Sequence, residues 1–433
     1  MTLNELIKVV NGKTSINSEK NIRKIKTDTR KIKKGDIFIA LKGNNYDGHD
    51  FIEDAIRKGA TSCIIDKNID NDKCIIVEDT YSCLYDIGKH IRKKYNIPLI
   101  AITGSNGKTT TKELIVHILK SKYNVLYNSD SKNNIIGVSD TLFGLNSDYD
   151  LIVMELGSNH IGEISTLSTM CCPTTSIITN IGSSHLEYFK NKKNIFKEKT
   201  SIVDGMKTNN LIVNGDDKYL KKLKCYKCGI NDNNDLVAYN INAQKDYVEF
   251  YIFLDKEYKI VFNNPGKHFI NDILLAIKVC LDYGIKIKNI IKRISTFNLV
   301  NKRMTIIESN SNIIINDCYN SSFESIKAGI DYMNNIYDNK IFIIGEILEL
   351  GKYSKKIHKK VNKLLKYVSK ENVFTVGEGT KYIKGRHFNN VNELINYFMS
   401  YPIKNSYIYV KGSRRVNLDK VVDYIQKLAN KNQ

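Results

Sequence analysis

The stretch Ile100-Ala101-Ile102-Thr103-Gly104-Ser105-Asn106-Gly107-Lys108-Thr109-Thr110 joins an apolar run, through a glycine turn, to a helix-forming run from Thr111 to Leu119. Glycines in such a turn let main-chain N–H groups approach phosphate oxygens, and the start of a helix adds its dipole. Lys108 can reach β- and γ-phosphates, and the Thr109 hydroxyl can ligate Mg²⁺. The full spacing of these loops wants a glycine five positions before Gly107, where this chain has Ile102, so the loop reads as a shortened variant. Gly104, Ser105, Asn106, Gly107, Lys108, Thr109 and Thr110 are the expected phosphate-binding residues.

A nucleoside triphosphate site also needs an acid at the end of a neighbouring strand. The run Asp150-Leu151-Ile152-Val153-Met154-Glu155 delivers Glu155 there, in position for a second magnesium ligand. Without the phosphate loop the same carboxylate would read as a solvated strand end. A further strand runs into Thr179-Asn180-Ile181-Gly182-Ser183-Ser184-His185, which places Asn180 and His185 on a loop at the same sheet edge. His185 is a ligand candidate there, with a capping or surface role as the plainer alternative.

Those residues require a sheet with its carboxyl ends aligned, and the rhythm of the chain supplies one. Apolar runs at 99–103, 150–154, 176–179 and 211–213, separated by helix-length segments, predict a mostly parallel sheet with crossover helices. Before it, short strands at 36–41 and 62–65 flank a helical pattern at 51–56 ending at Gly59, a small α/β unit. Residues 236–262 alternate in twos, as in Tyr247-Val248-Glu249-Phe250-Tyr251-Ile252-Phe253, which predicts an antiparallel appendage. A third α/β unit, Rossmann-like, has expected strands at 313–315, 341–344, 373–376 and 407–410. The fold class is therefore α/β in three domains, 1–95, 96–300 and 301–433.

The 433 residues carry 66 Lys+Arg against 46 Asp+Glu, a formal charge of +20, which favours anionic partners without choosing among nucleotides, nucleic acid and lipid. No run approaches 18 apolar residues, so membrane insertion is not expected. Nine scattered cysteines and an N-terminal MTLNELIKVV without the pattern of a signal peptide fit a reducing cytoplasm. Cys225 and Cys228 form a lone CxxC with no second pair, read as free thiols. The lysine-rich segments 190–199 and 352–360 lack the aromatic interleaving of nucleic-acid modules and read as solvated helix faces. Gly377-Glu378-Gly379 is too short a signal for a dinucleotide site.

With the loop, Glu155 and His185 in hand, the chain resembles the Mur ligases, and within that family the branch that adds D-alanyl-D-alanine. The resemblance runs over essentially the whole chain. It rests on Asp28-Thr29-Arg30, Gly35 to Gly43 and Asp47-Gly48-His49-Asp50-Phe51 at the start, and on Glu155-Leu156-Gly157-Ser158-Asn159-His160-Ile161-Gly162-Glu163-Ile164 at the centre. Towards the end it rests on Asp317-Cys318-Tyr319-Asn320, Gly345 to Gly351 with His358, and Lys411-Gly412-Ser413-Arg414. The departures are Thr29 where the family has serine, Phe269 for an asparagine, Ser321-Ser322-Phe323 for Ala-Asn-Pro, and Glu346 for aspartate. Phe269 offers a ring that could stack on a base in place of the missing amide.

The resemblance implies an ATP-dependent ligase that joins D-Ala-D-Ala to UDP-N-acetylmuramoyl-tripeptide through an acyl phosphate, as a cytoplasmic monomer making cell-wall precursor, with no nucleic-acid partner. It implies ATP contacts from Asn271, Arg303, Asp317 and Tyr319, and substrate contacts from Thr29, Arg30, Asn159 and His160. It further implies two Mg²⁺ sites built from Thr109, Glu155, His185 and a carbamylated Lys199, although the family's glutamate two positions after that lysine is Ser201 here. A sister ligase adding one amino acid, a basic ATP-driven RNA-binding protein and a non-enzymatic scaffold are the competing readings. The third residue of the stem peptide, diaminopimelate or lysine, stays open.

Overall fold

A computed structural model describes residues 1–129, 132–299, 302–309 and 311–430. The chain divides into two compact units, the first made of residues 1–103, 119–177 and 198–211 and the second of residues 104–118, 178–197 and those from 212 onward. The expected limit at residues 300 and 301 lies outside the described residues.

The first unit opens with a parallel sheet whose strands follow chain order: β1 (Ile25–Lys26), β2 (Ile37–Ile39), β3 (Ser62–Ile65) and β4 (Cys74–Ile76). Parallel strands covered on both faces need apolar runs rather than alternation, and every residue of β2 and β3 is buried. The helix Thr80–Lys94, unanticipated from the sequence, is capped by Asp79, which accepts from Ser82 N–H at 2.8 Å. Its inner face carries Cys83, Leu84 and Ile87 to the sheet. Its Arg92 is buried, and the guanidinium donates to the Cys171 and Tyr95 carbonyls at 2.7 and 2.6 Å, which satisfies a charge that burial would otherwise penalise.

The same unit holds β5 (Leu99–Thr103), β6 (Val125–Tyr127), β7 (Leu151–Glu155) and β8 (Thr175–Ile178) in the order β8-β5-β7-β6. β5 and β6 both pair parallel with β7. The non-sequential order creates a crevice outside the carboxyl ends, where open α/β sheets bind ligands. Thr103 and Glu155 end their strands there.

β9 (Asn210–Asn214) runs from the first unit into the second, where its residues from Ile212 on pair parallel with β10 (Tyr226–Gly229), and β10 pairs parallel with β11 (Leu236–Val237). The expected antiparallel appendage is β12 (Tyr239–Ala243), β13 (Val248–Phe253) and β14 (Glu257–Phe262), and β13 buries Val248, Phe250 and Ile252 while its alternate residues face outward. The last sheet has the order β15-β16-β20-β17-β18-β19. Its strands are β15 (Thr305–Ser309), β16 (Asn312–Asn316), β17 (Lys340–Gly345), β18 (Val373–Val376), β19 (Arg386–Phe388) and β20 (Tyr407–Lys411). All pairs are parallel except the β15/β16 hairpin. The four apolar runs expected as strands are β16, β17, β18 and β20. The short edge strand β19 and the mixed β15 carry too few apolar residues to announce themselves. Among the described residues no helix is long and apolar enough to cross a membrane.

At the carboxyl edge of this sheet Asp317 accepts from Lys411 Nζ at 2.6 Å and from Tyr409 Oη at 3.0 Å, all three buried. Burial and the neighbouring carboxylate push the Tyr409 phenol well up, so it stays a donor. A Cβ added at Gly329 would lie 2.0 Å from Tyr409 Oη, on an atom that this network holds in place. Gly329→Ala is therefore expected to destabilise the protein by about 1–3 kcal/mol, the usual size of an overpacking penalty. Thermal unfolding should show a lowered midpoint, and an unchanged midpoint would mean that the ring moves freely.

Candidate functional site

The loop after β5 turns on two glycines that nothing else could replace. Gly104 has φ +143°, and a Cβ there would meet Thr179 Oγ1 at 2.0 Å; Gly107 has φ +81°, and a Cβ there would meet Asp272 Oδ1 at 2.4 Å. The loop is fixed from behind by Asn180. That residue's carbonyl accepts from Ser105 N–H at 3.0 Å, its Oδ1 accepts from Asn106 N–H at 3.0 Å, and its amide donates to the Asn106 carbonyl at 2.9 Å. The helix then starts at Lys108, three residues before the Thr111 expected from sequence, because its first turn is anchored by the loop rather than by apolar periodicity. Lys108 Nζ curls back onto the Gly104 carbonyl at 2.8 Å. Ser105, Thr109 and Thr110 are buried.

Arg303 reaches this loop, donating from Nη2 to Thr109 Oγ1 at 3.0 Å with its guanidinium 3.9 Å from the centre of the Tyr319 ring. Asn106 Nδ2 on the loop and Arg303 Nε beside it are buried and have no hydrogen-bond partner among the described residues. Each left unmet costs about 1–3 kcal/mol, which suits a place where a polar ligand supplies the partner.

Asp272, which no sequence pattern flagged, lies under the loop. It is buried, and its Oδ1 accepts from Thr111 Oγ1 at 3.1 Å. Burial pushes its carboxyl up from 3.8 to about 7, against the opposing pull of the Thr111 hydrogen bond and the Arg303 charge. Phe269, one turn earlier in the helix Phe269–Asp282, departs from expectation. It is 5% exposed and packs edge-on against Phe262 at 5.7 Å, so the ring belongs to the core and is not offered to a base.

His185 sits at φ 56° before the helix Leu186–Phe189, its Nδ1 against the Glu349 carboxylate. Glu187 N–H donates to the Glu349 carbonyl at 3.0 Å. The imidazole beside it holds the Glu349 carboxyl below the usual range. Asp317 is committed to Lys411 and Tyr409, with 9% exposure.

In the first unit Glu155 is 2% exposed and its Oε1 accepts from Asn133 Nδ2 at 2.7 Å. Asn128 clamps the Glu155 main chain at both its N–H and its carbonyl, each at 2.9 Å. Lys199 is 3% exposed and donates to Ser158 Oγ at 2.8 Å, so it is not one of the solvated lysines of its segment. Its neighbour Glu198 caps the helix Glu163–Cys171 through Gly162 and Ile164 N–H groups at 2.6 and 2.8 Å. Ser158, Asn159 and His160 line a cleft of about 1100 Å³ opposite Tyr81, Tyr85 and Asn133. Thr29 and Arg30 are not among its lining residues; Arg30 instead forms a two-pronged pair with Asp28 at 2.9 Å. Asn128, Asn133, Asp272 and Glu324 escaped the sequence reading because each acts by holding another residue and belongs to no spacing rule.

Among the described residues no three His, Cys, Asp or Glu side chains gather into a cage. The Glu155 carboxylate in the first unit and the Thr109 hydroxyl in the second are each a hard oxygen donor of the kind Mg²⁺ takes. Cys225 and Cys228 are free thiols, both pushed up by burial. Lysines 355, 356, 359 and 360 of the helix Ser354–Leu364 are exposed, as expected of a solvated face.

A parallel α/β fold with a phosphate loop and a second sheet bringing an arginine onto it defines an ATP-using ligase architecture. Residues 102–280 match the Mur ligase middle domain and residues 21–93 match the Mur ligase family, catalytic domain. The chain is 32% identical to the UDP-N-acetylmuramoyl-tripeptide–D-alanyl-D-alanine ligase of Rickettsia prowazekii, over 95% of this chain and 97% of that one. It is 30% identical to the protein of the same name from Bacillus subtilis, over 93% and 92%. The structure of MurF from Acinetobacter baumannii superimposes with a TM-score of 0.90 at 25% identity, covering 98% of both chains. The chain belongs to the Mur ligase family. Those two relatives carry the same enzyme name.

The folded state binds a proton at Asp272 more tightly than the unfolded chain does, so the stability this group contributes is full below about pH 4 and is lost as pH rises through 7. Asp272→Asn keeps an acceptor for Thr111 and cannot ionise. Its unfolding midpoint relative to wild type should therefore climb between pH 5 and pH 8. The gain should reach roughly 4 kcal/mol at most, since each tenfold change in proton affinity between folded and unfolded chain is worth about 1.4 kcal/mol. A flat difference across that range would show that Asp272 ionises freely.

Proposed function

We propose that this chain joins D-Ala-D-Ala to UDP-N-acetylmuramoyl-tripeptide with ATP as the energy source, in peptidoglycan precursor synthesis and so in the service of cell shape and division. The observation that carries the reading is the phosphate loop with Arg303 on Thr109 and two unmet buried polar atoms, Asn106 Nδ2 and Arg303 Nε, at that contact. The name shared by the full-length relatives supplies the substrates.

In this reading a carboxylate oxygen of the tripeptide attacks the γ-phosphorus of ATP, the bond to the β-γ bridging oxygen breaks, and an acyl phosphate and ADP result. The amine of D-Ala-D-Ala then attacks the acyl carbon, loses a proton, and phosphate leaves. Both steps bring anions together, so the protein contributes mostly positioning and charge neutralisation. Lys108 releases the Gly104 carbonyl to meet the β- and γ-phosphates, and loop N–H groups take phosphate oxygens. Arg303 orders Thr109, and Tyr319 and Asn271 serve the nucleoside side, with Asp317 and Lys411 holding the segment of Tyr319. Thr109, Glu155, His185 and a carbamylated Lys199 would hold two magnesium ions, which when bound would supply Lewis-acid neutralisation of the phosphates. Asn159 and His160 line the cleft for the peptide, and Thr29 and Arg30 bind the uridine end. The domains 1–95, 96–300 and 301–433 carry substrate, ATP and closing functions in a cytoplasmic monomer.

Phosphate release should require both the UDP-tripeptide and D-Ala-D-Ala, because without an amine the acyl phosphate stalls; ATP hydrolysis stimulated by RNA and indifferent to both would sink the reading. Lys108→Ala should lose about 100-fold or more in kcat, as for removal of one clamp on a transferring phosphoryl group.

The burial of Lys199 beside Ser158 also supports carbamylation, since a carbamate offers the anionic oxygen that magnesium prefers over an ammonium. Lys199→Ala should be nearly inactive and regain part of its rate with a short carboxylic acid. Full activity in that variant, or an unmodified Lys199 side chain turned to solvent in a nucleotide-bound structure, would refute the carbamate.

A further inference from the structure

Glu324 follows the segment where this chain departs from its family, Ser321-Ser322-Phe323, and opens the helix Phe323–Ile336. Ser322 caps that helix and donates from Oγ to Asn106 Oδ1 of the phosphate loop at 2.9 Å. Glu324 Oε2 accepts from Ser183 N–H at 3.1 Å, and Oε1 accepts from Ser183 Oγ at 2.8 Å and from Lys192 Nζ at 3.0 Å. Although burial opposes ionisation, the Lys192 ammonium keeps this carboxyl below the usual range. Three segments meet at Gly182, where a Cβ would lie 2.9 Å from Ser105 Cβ, 3.0 Å from Asn106 Nδ2 and 3.3 Å from Glu324 Oε2. The same loop carries Asn180, which fixes the back of the phosphate loop, and His185, which Glu349 holds at its other end.

We propose that Glu324 is a positioning residue for nucleotide binding. Through Ser183 it locks the 180–185 loop against the phosphate loop, and with Ser322 it ties both to the start of its helix. The carboxylate suits this because one group meets an N–H, a hydroxyl and an ammonium at once, and charge-assisted bonds are stronger than neutral ones. The inference rests on the ATP-dependent reading above and adds a residue to it.

The test is calorimetric titration of the full chain with the magnesium complex of a non-hydrolysable β,γ-imido ATP analogue, beside thermal unfolding without nucleotide. Glu324→Ala should weaken analogue binding by about tenfold or more, the usual worth of hydrogen bonds to a charged group. Binding of UDP-tripeptide should stay unchanged. Glu324→Gln keeps acceptors for Ser183 but not the ion pair and should recover most of the affinity. Lys192→Ala should add nothing in the Glu324→Ala background. Wild-type affinity in a folded Glu324→Ala variant would overturn the proposal, as would equal weakening of analogue and UDP-tripeptide, which marks a merely structural loss. If the Ala variant does not fold, Ser183→Ala decides, and wild-type affinity in it overturns the proposal. A wild-type chain that binds no nucleotide would overturn the ATP-dependent reading itself, and this proposal with it.

Discussion

A glycine turn can cradle a phosphate only if its own polar groups are restrained from behind and left unmet in front. In this protein the rear restraints are Asn180, whose carbonyl takes Ser105 N–H and whose side chain holds the main chain of Asn106; Asp272, against Gly107 and Thr111; and Thr179, packed at Gly104. Glycine at 104 and 107 is set by those neighbours as much as by φ, since a methyl group at either place would occupy the position of a neighbouring oxygen. The rest of the architecture serves to bring these restraints to one place. β5 delivers the loop, and the helix Phe269–Asp282 and the last sheet deliver Asp272 and Arg303.

The arrangement carries a cost that the packing absorbs. A buried carboxylate under a phosphate site opposes the charge of the ligand, and the raised Asp272 carboxyl lessens that opposition by keeping the group partly protonated near neutrality. Lys108 meanwhile rests its ammonium on a loop carbonyl. A neutral acceptor of this kind can be exchanged for a charged phosphate at little expense, because hydrogen bonds between ions are the stronger ones.

The fold was legible where strands are long and continuously apolar. β5, β7, β13, β16, β17, β18 and β20 all stand where runs such as Leu99-Ile100-Ala101-Ile102 or Ile341-Phe342-Ile343-Ile344 placed them. It was illegible in two-residue strands such as β1 and in the helix Thr80–Lys94, whose buried face of Thr80, Cys83, Leu84, Ile87 and Gly88 holds only two large aliphatic side chains. The glycine turn between β5 and the helix that starts at Lys108 could be read because two glycines at that spacing take up backbone conformations open to few other residues. Phe269 misled because an aromatic ring has two uses, and only its packing on Phe262 tells that it fills the core. Positioning residues left no trace, since an asparagine such as Asn133 can hold a carboxylate from any place in the sequence that the fold brings near.

The hydrogen bond from Arg303 to Thr109 spans 194 positions, and that from Ser322 to Asn106 spans 216. During synthesis the phosphate loop leaves the ribosome well before either partner, at the usual rate of about 5–20 residues per second, so some tens of seconds pass with the loop half made. The nucleotide site is thus a quality mark on the finished chain. A product truncated before residue 300 keeps the glycine turn and lacks Arg303, Ser322 and Glu324, so a bound nucleotide would lend it less stability than it would lend a chain that carries all three.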